Sequence, residues 1–461
     1  MAIKPLGKKE FPPVISLKKL IGPSFILLGL GLGSGEVILW PYLSSTYGLG
    51  VIWAAVLGIT FQFFMNMEIE RYALTRGESV FAGFARKCKA LPAWFMVSTF
   101  IPWVWPGIIV SSASFLGGVF GVDVKVLSIS LLVVIGLILS LGPVLYKTVE
   151  NLQKVLITIG VPTVFILAIL IAKTSDWQAL SQGVIGIGQG YNFLPAGISL
   201  AAFLGALAYA GAGGNLNLAQ SSYVREKGYG MGKYTGRITS ILTGKKEAVS
   251  LEGNSFELNE NNLTNFKKWW KNINIEHFLI FWLTGTVTIL LLALLAYSTT
   301  FNLAAKPEGI NFVFFEAKQI GAQLFPFMGI LFLIIVGIML FATQLTVFDA
   351  TSRIISENIM LASKNLKEST IPLAYYLVLW AQIVTGIAIF LLGFTEPLQL
   401  VVIAAVLNAF TMFVHVGLTL WLNLTSLEKP LRPSALRISA MVCAFLFYGG
   451  FSIYTLIDKL F

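Results

Sequence analysis

Long apolar runs alternate along this chain with short polar stretches rich in lysine and arginine. A helix needs about 20 apolar residues to cross a bilayer. Eleven segments meet that length: 21–48, 50–70, 95–119, 126–144, 153–172, 192–223, 276–301, 322–350, 371–393, 397–424 and 435–457. The first and sixth break the pattern. "GLGLGSGEVILWP" (29–41) puts glycine on alternate positions and then a carboxylate, Glu36. "LAYAGAGGNLNLAQSSY" (207–223) holds Gly211, Gly213 and Gly214, followed by Asn215, Asn217 and Gln220. Glycine leaves the helix cheaply, and an unwound backbone is tolerated in a membrane only around a cavity or ligand. Either cluster alone also suits close helix packing. Two clusters, each opening a five-span half and each followed by polar side chains, predict broken helices around a midplane solute site. Freed carbonyls there attract cations, and half-helix N-termini attract anions. An intramembrane carboxylate such as Glu36 is itself a functional-site signal.

Composition fixes the class. The 461 residues are 56% hydrophobic and 12% charged, with mean hydropathy +0.80; soluble domains carry about 25% charge. Residues 1–20 lack the apolar core of a cleavable signal peptide, so the first span is expected to insert itself. The net charge of +10 is a topology signal. With the N-terminus inside, all but five of the 32 Lys and Arg residues fall in cytoplasmic segments, the exceptions being Lys125, Lys173, Lys306, Lys318 and Lys459. The chain is therefore expected in the cell (inner) membrane as a multi-pass protein, N-terminus cytoplasmic and C-terminus outside. Anionic lipid is its partner, and nucleic acid is not. Residues 226–275 read as a polar cytoplasmic loop ending in a Trp269–Trp270 interfacial anchor. Asn262-Leu-Thr264 fits a glycosylation pattern that would be inert on that side. "GVIGIGQG" (183–190) follows no strand and reads as an external loop. Cys88 and Cys443 make no disulfide framework.

Further polar residues lie in the spans. Glu68 is a candidate for an inner vestibule, and Glu70 beside Arg71 reads as an interfacial ion pair. Asp349 reads as paired with Arg353, and Thr343 and Thr346 are candidates for a sodium site. Asn408 is a candidate site contact. His415, seven residues later on the same face, is a packed histidine or a proton carrier. Trp103 and Trp105 are expected to pack within the bundle.

"GPSFILLGLGLGSGEVILWPYLSSTYG" (22–48), "RYALTRGES" (71–79) and "GGNLNLAQSSYVRE" (213–226) together resemble the Nramp family of divalent-metal transporters. The resemblance implies a LeuT-type fold, two inverted five-helix repeats plus an extra helix. It places the family's Asp-Pro-Gly-Asn break on Gly33, Ser34, Gly35 and Glu36. Its Met-Pro-His-Asn break falls on Ala212, Gly213, Gly214 and Asn215. The family's carboxylate and its soft thioether, which favours transition metals, are thus both absent from their usual positions. Glu36 is the one replacement carboxylate, one helical turn later. Span three carries no carboxylate for the family's proton route, and span nine has no arginine or histidine. The small residues at both breaks predict a wider, backbone-lined site. "GSG" at the first break is also similar to amino-acid transporters of the same fold.

The expected architecture is all-α integral membrane, eleven helices with one and six broken. A cytoplasmic segment (1–20) precedes a first repeat (21–172), a second repeat (192–424) and an extra helix (435–457). The expected function is secondary transport of a divalent cation of the manganese, iron or magnesium class. The substrate-binding set is Gly33, Ser34, Gly35, Glu36, Ala212, Gly213, Gly214, Asn215 and Asn408, with Glu36 as the metal contact. Glu36, Glu68 and His415 are candidates for proton or sodium coupling. The alternatives are an amino acid or other small organic solute, or a non-transporting membrane sensor. No cofactor is expected, a metal ion entering only as substrate. No Gly-x-x-x-x-Gly-Lys-Ser/Thr loop is present for ATP, and no nucleophile–base pair or His-Glu-x-x-His motif for an intramembrane enzyme.

Overall fold

The computed structural model describes residues 6–16, 20, 22–141, 145–235, 251–303, 307–363, 365–366 and 368–460. Residues 236–250 of the polar loop lie outside them. Ten helices among the described residues are long and apolar enough to span a membrane. The eleventh span is the sixth, whose two pieces, Leu200–Ala208 and Leu216–Lys227, are each too short to register. Span one is Pro23–Gly31, a turn, a π-helical turn at Ser34–Leu39 and then Trp40–Tyr47. Both predicted breaks are present.

Position in the bundle follows the apolar pattern. Span one is 94% buried along its apolar window, whereas span four, Val124–Leu141, is 28% buried. Spans four and five expose Val126, Val134, Leu137, Ile159 and Ile166, residues suited only to lipid. Spans one and six form the centre. Span eight (Pro326–Ala362) packs along span three, and span ten (Pro397–Ser426) packs on Leu200–Ala208 and on span eleven (Ala435–Leu460). The second half of span six, Leu216–Lys227, lies against span two, Trp53–Arg76.

Several expectations are corrected. Span three begins at Leu91 and turns at Val104–Pro106 between Leu91–Trp103 and Gly107–Phe120, because Pro106 lacks the N–H a continuous helix needs. Residues 260–275 are not loop: Glu260–His277 is a helix running into span seven (Thr284–Thr300), started by the Asn259 side chain accepting from Asn262 N. Trp269 and Trp270 do not anchor in lipid. Trp269 is buried and donates to Pro12 O, and the Arg71 guanidinium lies over Trp270. Asn262 is buried, its side chain accepting from Phe11 N and donating to Glu257 O. Of the stretch 183–190, the first two residues close a helix, Thr174–Val184, and the rest is loop as expected. A second helix, Asn311–Gln323, lies between spans seven and eight. A short parallel pairing of Gly7–Lys8 with Asn254–Ser255 ties the N-terminal segment to the stretch before Glu260.

Candidate functional site

Gly213 and Gly214 have φ of 73° and 55°, the left-handed region open to glycine. They turn the chain between the two halves of span six. The two breaks touch: a Cβ on Gly31 would lie 2.9 Å from Gly211 Cα, and one on Gly35 would overlap Tyr209 O. The glycines therefore do not widen the site. The space beside Gly33 is taken by Thr343 and that beside Gly214 by Asn408. They serve close approach of two backbones, which an added side chain would prevent.

Around the second break, Asn215 Nδ2 donates to Ser98 Oγ at 2.9 Å and to Thr99 Oγ1 at 3.0 Å. Asn408 Nδ2 donates to Tyr209 Oη at 2.9 Å. His415 Nε2 lies 3.0 Å from Gly214 O. Trp103 stacks on Tyr209 with ring centroids 5.3 Å apart; Trp105 meets Phe394 edge-on instead. The structure thus brings Gly214, Asn215, Asn408 and His415 together. Asn215 Oδ1, Asn408 Oδ1 and His415 Nδ1 are buried without a partner. Reversing either amide would orphan its NH2 instead.

Glu36 lies elsewhere on span one. It is fully buried, neither oxygen has a hydrogen-bond partner, and it lies beside Gly285 of span seven, which also abuts Leu28 and Ile59. Gly33 faces span eight, Gly35 faces span six, and Glu36 faces span seven. Ser34 and Ala212 are buried near the breaks. At the candidate sodium site, the hydroxyls are already engaged: Thr343 donates to Gly29 O and Thr346 to Ala342 O, while Gln153 Nε2 donates to Ala342 O and Thr346 Oγ1.

Glu68 is not in a vestibule. It accepts from Arg71 at 2.7 and 3.1 Å, from Asn423 and from Arg437. This corrects the pairing of Glu70 with Arg71: adjacent helical residues point apart, whereas i,i+3 residues meet. Glu70 faces span six, where Gln220 Nε2 is 3.4 Å from its Oε2. Asp349 pairs with Arg353 as expected, and Arg353 also reaches Glu226. Ser98 and Thr99 went unnoticed among the residues of span three; their signal is an adjacent hydroxyl pair in an otherwise apolar run. No group of three or more His, Cys, Asp or Glu among the described residues is arranged to hold a metal ion.

No family model matches the chain, and no curated protein matches its sequence. Solved structures do. The manganese transporter of Eremococcus coleocola, bound to an aromatic bis-isothiourea compound, superposes with TM-score 0.69 at 12% identity, covering 98% of this chain and 90% of that one. A mutant of the same transporter gives 0.68 at the same identity, with 98% and 89% covered. MHP1, a nucleobase-cation-symport-1 family transporter with bromovinylhydantoin bound, gives 0.53 at 12% identity, with 96% and 93% covered. The shared fold spans the whole chain: the LeuT-type arrangement of membrane transporters, with broken helices one and six.

Proposed function

We propose that this chain is a secondary-active transporter carrying a hard divalent cation, of the magnesium and manganese class, across the inner membrane. The observation that carries the reading is Glu36, a fully buried carboxylate with no partner, on the helix break that touches the break of span six. A buried carboxylate is neutralised either by a proton or by a bound cation, and a passing cation fills the second role. The unpartnered Asn215 Oδ1 and Asn408 Oδ1 add oxygen donors at the second break, while thioether and thiolate are absent from both breaks. Few oxygen ligands suit an ion that keeps several waters. The close packing of the glycines favours a small cargo. The whole-chain likeness to a manganese transporter supports the same class.

A second reading has its own observation. The Trp103–Tyr209 stack, flanked by Asn408 and Asn215, would suit a small amine-bearing organic solute.

Influx of manganese and magnesium into proteoliposomes, with amino acids as competitors, tests both. A charged contact contributes about 1.5–3 kcal/mol, so Glu36→Gln is expected to lower cation uptake by about ten- to hundredfold. Uptake of neither ion by folded protein would overturn the cation reading. Competition by an amino acid, insensitive to Glu36→Gln, would favour the organic solute.

A further inference from the structure

Span two carries Gln62, Asn66 and Glu70 four residues apart, hence on one face. That face meets the second half of span six. Gln62 Oε1 is 3.4 Å from Gly213 N, and Asn217 Nδ2 donates to Gln62 Oε1 at 3.0 Å and to Asn66 Oδ1 at 2.7 Å. One turn further, Gln220 approaches Glu70. The result is a polar seam, sealed from water, running from the break of span six to a carboxylate.

Glu70 is buried and forms no ion pair with any described residue. The cations around it are committed elsewhere. Arg71 and Arg437 hold Glu68, Arg76 holds Glu428, Arg225 holds Glu357, and Lys227 holds Glu150. From span seven Glu276 adds a second negative group close enough to repel Glu70. Glu276 accepts from Ser24 at 2.5 Å, its other oxygen is unpartnered, and His277, 2.8 Å from Ser24, is stacked against Phe63 and Phe281. Gln220 Oε1, also fully buried, has no partner.

We propose that Glu70 is a proton-binding site, and that its proton holds the second half of span six against span two. A carboxylate here has no cation paired with it, so the seam closes only when a proton neutralises it. With the proton on one Glu70 oxygen, that group becomes a donor as well as an acceptor, and the neighbouring Gln220 amide, whose Nε2 is 3.4 Å away, carries an unpartnered acceptor in Oε1. Parting of spans two and six admits water, the carboxyl releases its proton to that water as hydronium, and the ionised group then opposes reclosure. Proton release and opening of the basic end of the molecule are thereby one event. The site rests on the fold alone and is independent of which solute is carried.

Hydrogen exchange of residues 216–227 tests this in the intact protein reconstituted without any substrate, with a proton as the probe. Wild type is expected to exchange at least about tenfold faster when the pH is raised beyond the trend of the rest of the chain. Glu70→Gln, which mimics the protonated side chain, should stay slow at every pH, and Glu276→Gln should retain the response. Infrared difference spectra over the same titration should show a protonated carboxyl signal in wild type that Glu70→Gln lacks. Identical profiles in wild type and Glu70→Gln would overturn the proposal, as would a response to sodium at fixed pH. Manganese flux scored in parallel separates the two readings. Absent flux with a pH-dependent seam removes the cation cargo and keeps the proton site; present flux with a seam indifferent to pH does the reverse.

Discussion

At the scale of single residues, glycine does two jobs at the breaks, and only one was legible. Loss of helix at Gly213 and Gly214 follows from the sequence, since a cluster of residues without Cβ next to asparagines favours leaving the helix. Close approach of the two breaks does not, because it depends on which segments cross. Gly35 shows the difference. Its missing side chain admits Tyr209 O, so Gly35→Ala drives a methyl into a backbone oxygen that has no rotamer to move aside. Overpacking of this kind costs about 1–3 kcal/mol. Gly35→Ala is expected to lower the melting temperature in detergent and to separate the breaks, and Gly50→Ala, against the turn at Gly188, serves as a comparison. An equal melting temperature for wild type and Gly35→Ala would contradict the contact. Glu36 was legible as a buried carboxylate; its direction toward span seven was not, because the π-helical turn at Ser34–Leu39 rotates it away from the ordinary helical register.

Among elements, the long spans were legible because an apolar run of this length has few other fates in a polytopic chain. The short helices Thr174–Val184 and Asn311–Gln323 were not: each mixes polar and apolar residues, and each is defined by what it packs on. Asn311–Gln323 carries a consequence of that packing. Glu316 is buried there, one of its oxygens has no partner, and burial pushes its carboxyl well above the usual carboxylate range. The folded state therefore holds the Glu316 proton where the unfolded chain has already released it. The sign follows from linkage: the contribution is most favourable below the ordinary carboxylate value of 4.5 and is lost as pH rises from there toward the folded value. Thermal stability is expected to decline with pH over that window, and Glu316→Gln is expected to flatten the decline. A Glu316→Gln profile parallel to that of wild type would show that the carboxyl is hydrated.

The whole molecule is clamped at its basic end. Glu226 and Arg225, at the end of span six, pair with Arg353 and Glu357 of span eight, and Asp349 completes the first pair with Tyr223 and Tyr375 as further donors. Glu68 joins span two to span eleven through Arg437. Only Asp349 with Arg353 could be read from spacing, being four residues apart on one helix. The pairs between spans join residues more than 100 positions apart, and nothing local marks them. Phe11, packed against Phe256 and Phe266, and Pro12, accepting from Trp269, extend the clamp over the end of span seven. If the chain transports as proposed, such a clamp must open for solute to leave on that side, and its strength then sets the balance between the two access states. Removing one partner of a buried ion pair costs about 3–5 kcal/mol, because the remaining charge is left uncompensated. Arg353→Met strands both Asp349 and Glu226. It is expected to shift the protein toward the state open at the basic end, making a cysteine introduced at Gln220 react with a membrane-impermeant maleimide at least about tenfold faster. Arg432→Met, whose side chain bonds only Leu427 O among the described residues, should leave that rate unchanged. Equal rates for Arg353→Met and wild type would mean that the seam between spans two and six, rather than the ion pairs with span eight, holds the closed state.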